Sequence, residues 1–208
     1  MLVVIAIIAV LMGLAFPAFQ SVQNSAKRTQ AKNDLVQIVT AVKAYSTEYG
    51  KFPLATWEQG HDVTFAEDSY QDQIFNVLRA NGSGRDNPNS ASADDNQNPR
   101  RITFLSVADA KDAKNPKAGI VPNNAPSRQG MFVDPWGTPY VVKMDGNYDN
   151  ALNNPYGLNA GSNPLRADVI AWSLGKNASS NSATKHLDAT AGGSDFRDST
   201  NADDVISW

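Results

Sequence analysis

Hydrophobic and polar residues are distributed very unevenly along the chain. From Met1 to Phe19 the sequence runs MLVVIAIIAVLMGLAFPAF, with Gln20 the first strongly polar side chain and Lys27 the first charge. About 19 residues at ~1.5 Å rise make ~28 Å of helix, close to the ~30 Å hydrocarbon thickness of a bilayer. The pattern predicts one membrane span. A cleaved signal peptide is a competing reading, but it wants a basic n-region, a shorter apolar stretch and a small-x-small cleavage site, and nothing basic precedes this run. A buried core helix is another, and it would need a much larger domain to cover it on all sides. Pro17 removes a backbone donor near the end of the span and pushes the helix to bend, with Gly13 one turn before it. A lone anchor has no use for such a weak point, whereas a helix packed among identical helices could stretch there. An incidental kink is the alternative.

Beyond the span, Ala31, Leu35, Ile38, Val39, Val42, Tyr45 and Tyr49 recur at steps of three and four, one stripe of an amphipathic helix. Gly50 and Pro53 end the pattern, so one helix is expected from Met1 to about Tyr49. Residues 1–25 form its membrane half, 26–50 its amphipathic half, and 51–208 a head that must supply the core. In the head, Asp68 or Ser69 can cap a short helix over Tyr70–Ala80, with Ile74, Phe75 and Leu78 as its apolar face and Asn81-Gly82 as its break. Residues 81–100 are polar and read as an exposed loop. Strand patterns follow at Ile102–Leu105, Gly130–Val133, Tyr140–Met144 and Asp168–Leu174. The middle two bracket Asp134-Pro135-Trp136-Gly137-Thr138-Pro139, which predicts a hairpin. The expected fold class is α+β: a long N-terminal helix whose second half packs on a small antiparallel sheet.

Charge and composition narrow the function. The chain has 208 residues, 18 basic and 21 acidic, a formal charge of −3, and no block of Lys or Arg, which argues against a nucleic-acid partner. With no cysteine, disulfide scaffolds, thiolate metal sites and thiol nucleophiles are excluded. No GxSxG, P-loop or GxGxxG falls in a strand-to-helix context, and His61 and His186 stand isolated among polar residues. Trp57, Trp136, Trp172 and Trp208 read as packing residues. The chain therefore carries no visible catalytic site, and no enzyme is expected. Orientation poses a conflict, because Lys27, Arg28 and Lys32 follow the span and nothing basic precedes it. The positive-inside tendency then places the head in the cytoplasm, unless basic residues precede Met1 in the complete protein.

The opening LVVIAIIAVLMGLAFPA, its late proline and the continuation to Tyr49-Gly50 resemble the N-terminal helix of type IV pilins and pseudopilins. The motifs DPWGTPY (134–140), ADVIAWSLG (167–175) and DDVISW (203–208) narrow the resemblance to the major pseudopilins of type II secretion systems. It covers roughly the first 53 residues and much of the chain after 130, while 54–129 resembles the family less. The resemblance implies a bacterial inner-membrane protein with a single pass and a periplasmic head. It also implies cleavage of a basic leader, methylation of the new N-terminal residue, and a glutamate a few residues in. Met1 falls just after the position of that glutamate, which points to a start upstream of Met1, and a basic leader would also resolve the orientation conflict.

The resemblance further implies a calcium ion in the C-terminal loop, bound by the carbonyl of Leu174 and by Asn177, Asp203 and Asp204. Asn177 stands where the family usually has an aspartate, and 178–200 is longer than its counterpart, so Asp195 or Asp198 could substitute. The loop's Asn177, Asp188, Asp195, Asp198, Asp203 and Asp204 are hard oxygen ligands of the kind calcium collects. A plain solvated acidic loop has the same composition. The function implied is a filament subunit: it self-assembles through its first helix into a helical pseudopilus, with minor pseudopilins and an inner-membrane assembly platform as partners and lipid as its solvent before assembly. A type IV pilin of a surface fibre is the nearest alternative, although pilins often staple a C-terminal loop with two cysteines. A membrane-anchored periplasmic enzyme or binding module is the alternative from another class.

Overall fold

The computed structural model describes residues 2–54, 58–66, 71–80, 97–122, 125, 128–176 and 204–208; within its helices the side chains of 2, 5–18, 71–73, 158 and 159 also lie outside the description. The apolar stripe of the first helix builds what the periodicity predicts. Helix α1 runs from Leu2 to Tyr49 and stops where Gly50 adopts φ +68° and donates its N–H to the Ser46 carbonyl at 2.8 Å. Its buried face consists of Ala31, Leu35, Ile38, Ala41, Val42 and Tyr45, with Val39 and Tyr49 only partly covered. Ala41 takes a core place that the sequence stripe assigns to Val39, since a 3.6-residue period drifts across a strict step of three and four.

This face lies on a four-stranded antiparallel sheet of order β1 (Val63–Phe65), β4 (Val141–Met144), β5 (Val169–Ser173) and β6 (Val205–Ile206). Val142, Met144, Val169, Ala171 and Val205 face α1 and form one core with it. The alternate residues Val141, Ile170 and Trp172 point the other way, as the two-residue period of a strand requires. There they pack with Leu152, Tyr156 and Leu165 from the connection between β4 and β5, which includes a 3₁₀ turn at Gly157–Ala160. The sheet is thus covered on both faces, and β4 and β5 are buried along their whole length.

Helix α2 (Gln71–Leu78) contributes Ile74, Phe75 and Leu78 to the first core, as expected; the capping candidates Asp68 and Ser69 lie outside the described residues. Three expectations change. The segment Ile102–Leu105 is not a strand: Phe104 and Leu105 both donate to the single carbonyl of Leu78, so the chain closes the end of α2 instead of joining a ladder. The exposed loop at 81–100 ends sooner, because Asn98 is tied into the core region; residues 81–96 lie outside the described residues. The hairpin around 134–139 is only local. Val133 bridges Pro139 and Tyr140 donates to Phe132, but β3 (Phe132–Val133) then pairs with β2 (Gly119–Ile120) in a separate two-stranded sheet while β4 joins β1 and β5.

Candidate functional site

Two features stand out: the end of the sheet where β5 and β6 meet, and the part of α1 that extends beyond the head. In the β5–β6 ladder Trp172 pairs with Ile206 and Ser173 with Val205, so the next positions along it are Leu174 and Asp204. Two of the four residues implied as calcium ligands are therefore brought to one place by backbone register. Asp204 is only 3% exposed, and its Oδ2 accepts a 2.7 Å hydrogen bond from the Tyr156 hydroxyl. Leu174 packs its side chain into the second core. Asn177 and Asp203, together with Asp188, Asp195 and Asp198, lie outside the described residues. Among the described residues no group of three or more His, Cys, Asp or Glu is placed to hold a metal ion. The donor set of a carbonyl, an amide and two carboxylates is all oxygen, which suits calcium and not zinc or copper.

The C-terminal tryptophan seals this end. Trp208 donates its indole N–H to the Ala160 carbonyl at 2.7 Å and lies edge-on to Trp172, with ring centroids 6.1 Å apart. Trp172 is buried in the second core and Trp136 packs partly against the first, so three of the four tryptophans are packing residues as expected; Trp57 lies outside the described residues. His61 is exposed on a loop, and His186 lies outside the described residues.

Several polar groups escape the sequence reading. Asp134 is completely buried: its Oδ1 accepts from the backbone N–H groups of Trp136, Gly137 and Thr138 at 2.8–2.9 Å, and its Oδ2 from the Ser173 hydroxyl at 2.6 Å. Burial pushes its carboxyl above the ordinary value even though all four hydrogen bonds pull it down. The Asp-Pro-x-Gly spelling is the signal that could have found it, since an aspartate before such a turn caps its N–H groups. Asp34, on α1, accepts from the Tyr140 hydroxyl at 2.7 Å and is likewise raised by burial. On the far side of the sheet Lys143 approaches Asp62 at 3.7 Å and donates to the Asn153 carbonyl; burial lowers the lysine and raises the aspartate, driving both toward their neutral forms. Each of these groups bridges distant segments, and Asp34 also lines a recess beside Gln30, Gln37 and Ser106.

The extending part of α1 has a different character. Its described large apolar side chains ahead of Ala31 are Val3, Val4, Phe19 and Val22, all 60% or more exposed. Among the described residues no helix is long and apolar enough to cross a membrane; most of the run from Met1 to Phe19 has its side chains outside that set. No family model, curated protein or solved structure matches the chain. The fold that stands is an α+β head on one face of a long helix.

Proposed function

We propose that the chain is a structural subunit of the pseudopilin kind, stored in a bilayer by the first half of α1 and polymerised through that helix into a filament that serves type II secretion. One observation carries the reading: α1 is 48 residues long, and among its described side chains the first buried one is Ala31. A helix that exposes Phe19 and Val22 beyond a run of apolar sequence needs lipid or other helices around it. Removal from lipid costs about what packing the same surface among identical helices returns, so assembly can be driven in either direction by a motor. The head then decorates the filament, and the C-terminal loop is held by calcium through the Leu174 carbonyl, Asn177, Asp203 and Asp204, the ion supplying the positive charge that those oxygens surround.

The test uses the absence of cysteine from the chain. A Val22→Cys/Val36→Cys variant carries both thiols at exposed positions of α1. In cells that carry a type II assembly platform, oxidation is expected to give a ladder of dimers and higher species. A chain that stays monomeric under these conditions, as an anchored enzyme would, overturns the proposal.

A further inference from the structure

Helix α1 carries two anions, Asp34 and Glu48, and four cations, Lys27, Arg28, Lys32 and Lys43. Glu48 pairs with Arg100, Lys32 donates to the Ile206 carbonyl, and Arg28 also has a partner. Asp34, Lys27 and Lys43 remain. Asp34 accepts from the Tyr140 hydroxyl through Oδ2, but among the described residues no cation pairs with it. The ammonium groups of Lys27 and Lys43 have no partner among the described residues.

Asp34 does not stand on open surface. It lines a recess of about 250 Å³, with Gln30 and Gln37 one turn to either side on α1 and Ser106, Val107 and Phe132 on the facing wall. Burial raises its carboxyl, so a charge left unpaired there is held at a cost. A lysine suits such a place. Its apolar stem can lie along Val107 and Phe132 while its ammonium, with three donors, meets the Asp34 carboxylate and the amide oxygens of Gln30 and Gln37.

Helix geometry selects the lysine. A parallel neighbour in the same orientation presents to Asp34 the side of its own α1 opposite to Asp34. Lys27 precedes Asp34 by seven residues, about two full turns, and so lies on the wrong side. Lys43 follows Asp34 by nine residues, about two and a half turns, which places it on the opposite side and about 13.5 Å further along the axis. It is exposed, and it cannot reach Asp34 of its own chain. In a parallel copy displaced by that length, Lys43 comes level with Asp34 and faces it. An acid on one side of the helix and a base on the other make a heterologous contact, which repeats from copy to copy without closing and so builds a filament instead of a dimer.

We propose that the Asp34 recess receives Lys43 of a second copy of this chain, in a contact that staggers neighbouring α1 helices by about 13.5 Å. The contact rests on the filament proposed above and gives that filament a register.

The first test leaves the pair unaltered. Membranes of cells that carry the chain and a type II assembly platform are treated with a carbodiimide, which joins a carboxyl and an amine in contact as an amide, and the cross-linked dimer is read by mass spectrometry. An amide between Asp34 and Lys43 is expected, and it can only link two copies. The second test adds Lys43→Glu to the Val22→Cys/Val36→Cys chain. The yield of the oxidised ladder should fall about fivefold or more, because the pair is replaced by a repulsion, and the exposed position of Lys43 leaves the head folded. A ladder in the parent chain with Asp34 unjoined, or joined to another lysine or to a platform protein, overturns the pairing and leaves the filament reading standing. A ladder undiminished by Lys43→Glu does the same. Absence of the ladder from the parent chain overturns the filament reading and the pairing with it.

Discussion

At the scale of single residues, Asp134 shows how one side chain can organise a turn and join it to the sheet. Its Oδ1 gathers three consecutive N–H groups and its Oδ2 reaches Ser173 on β5, while Gly137 (φ +102°) lets the turn pass the Pro116 carbonyl, which an added Cβ would meet at 3.0 Å. Replacing Asp134 by alanine leaves those N–H groups without their acceptor, and a loss of about 2–4 kcal/mol is expected. Asparagine keeps the accepting oxygen and removes the buried charge, so Asp134→Asn should lose far less. The pH dependence follows from the direction of the shift. Burial raises the folded-state value above 3.8, so the contribution of this carboxyl to stability is fully present below 3.8 and is lost as pH rises through the folded value. Urea unfolding across that range should therefore show Asp134→Asn gaining on the wild type as pH increases.

At the scale of elements, Asn98 does for the end of α2 what Asp134 does for the turn. Its amide donates to the carbonyls of Val77 and Ile102, and its oxygen accepts from the Ile102 N–H and the Tyr49 hydroxyl. Tyr45 adds a bond to the Gln97 carbonyl, and Glu48 pairs with Arg100, so residues 97–100 are tied to α1. Asn98→Ala should destabilise the head by about 1–3 kcal/mol and open 97–102 to proteases, measured as cleavage before global unfolding. The polar composition of 81–100 hides this anchor, because an asparagine that closes a turn and one that faces water look the same in sequence. Ile102–Leu105 misleads for the opposite reason: its apolar residues serve burial, and the backbone partners that would make it a strand are taken elsewhere.

For the whole molecule, the proposal that calcium holds the C-terminal loop has a thermodynamic consequence. Calcium at about a hundred times its dissociation constant should add about 2.7 kcal/mol. For a chain of this length that is a rise of about 5–10 °C in melting temperature, accompanied by protection of 177–203 from proteolysis. Asp204→Ala should abolish both effects. Tyr156→Phe provides the contrast, since it removes the hydroxyl from Asp204 but leaves the carboxylate, and it should keep the calcium response. A melting temperature indifferent to calcium in the wild-type chain would end the assignment.

The sequence by itself determined the parts whose causes are local. A 3.6-residue stripe ending at Gly50 fixes the end and inner face of α1, the uncharged run before Lys27 sets its first half apart from the second, and Asp-Pro-Trp-Gly marks a turn. These depend on forces acting within a few residues. Only the tertiary structure decided which strands meet. Strands β2, β3 and β6 are two residues long and show no alternation to read, and β1 finds its place beside β4 through burial. The same holds for Asp34 meeting Tyr140 across 106 residues, for Tyr156 reaching Asp204, and for Ser173 pairing with Val205. Such pairs are selected by the joint burial of α1 and both sheet faces, and no short window of sequence contains both partners.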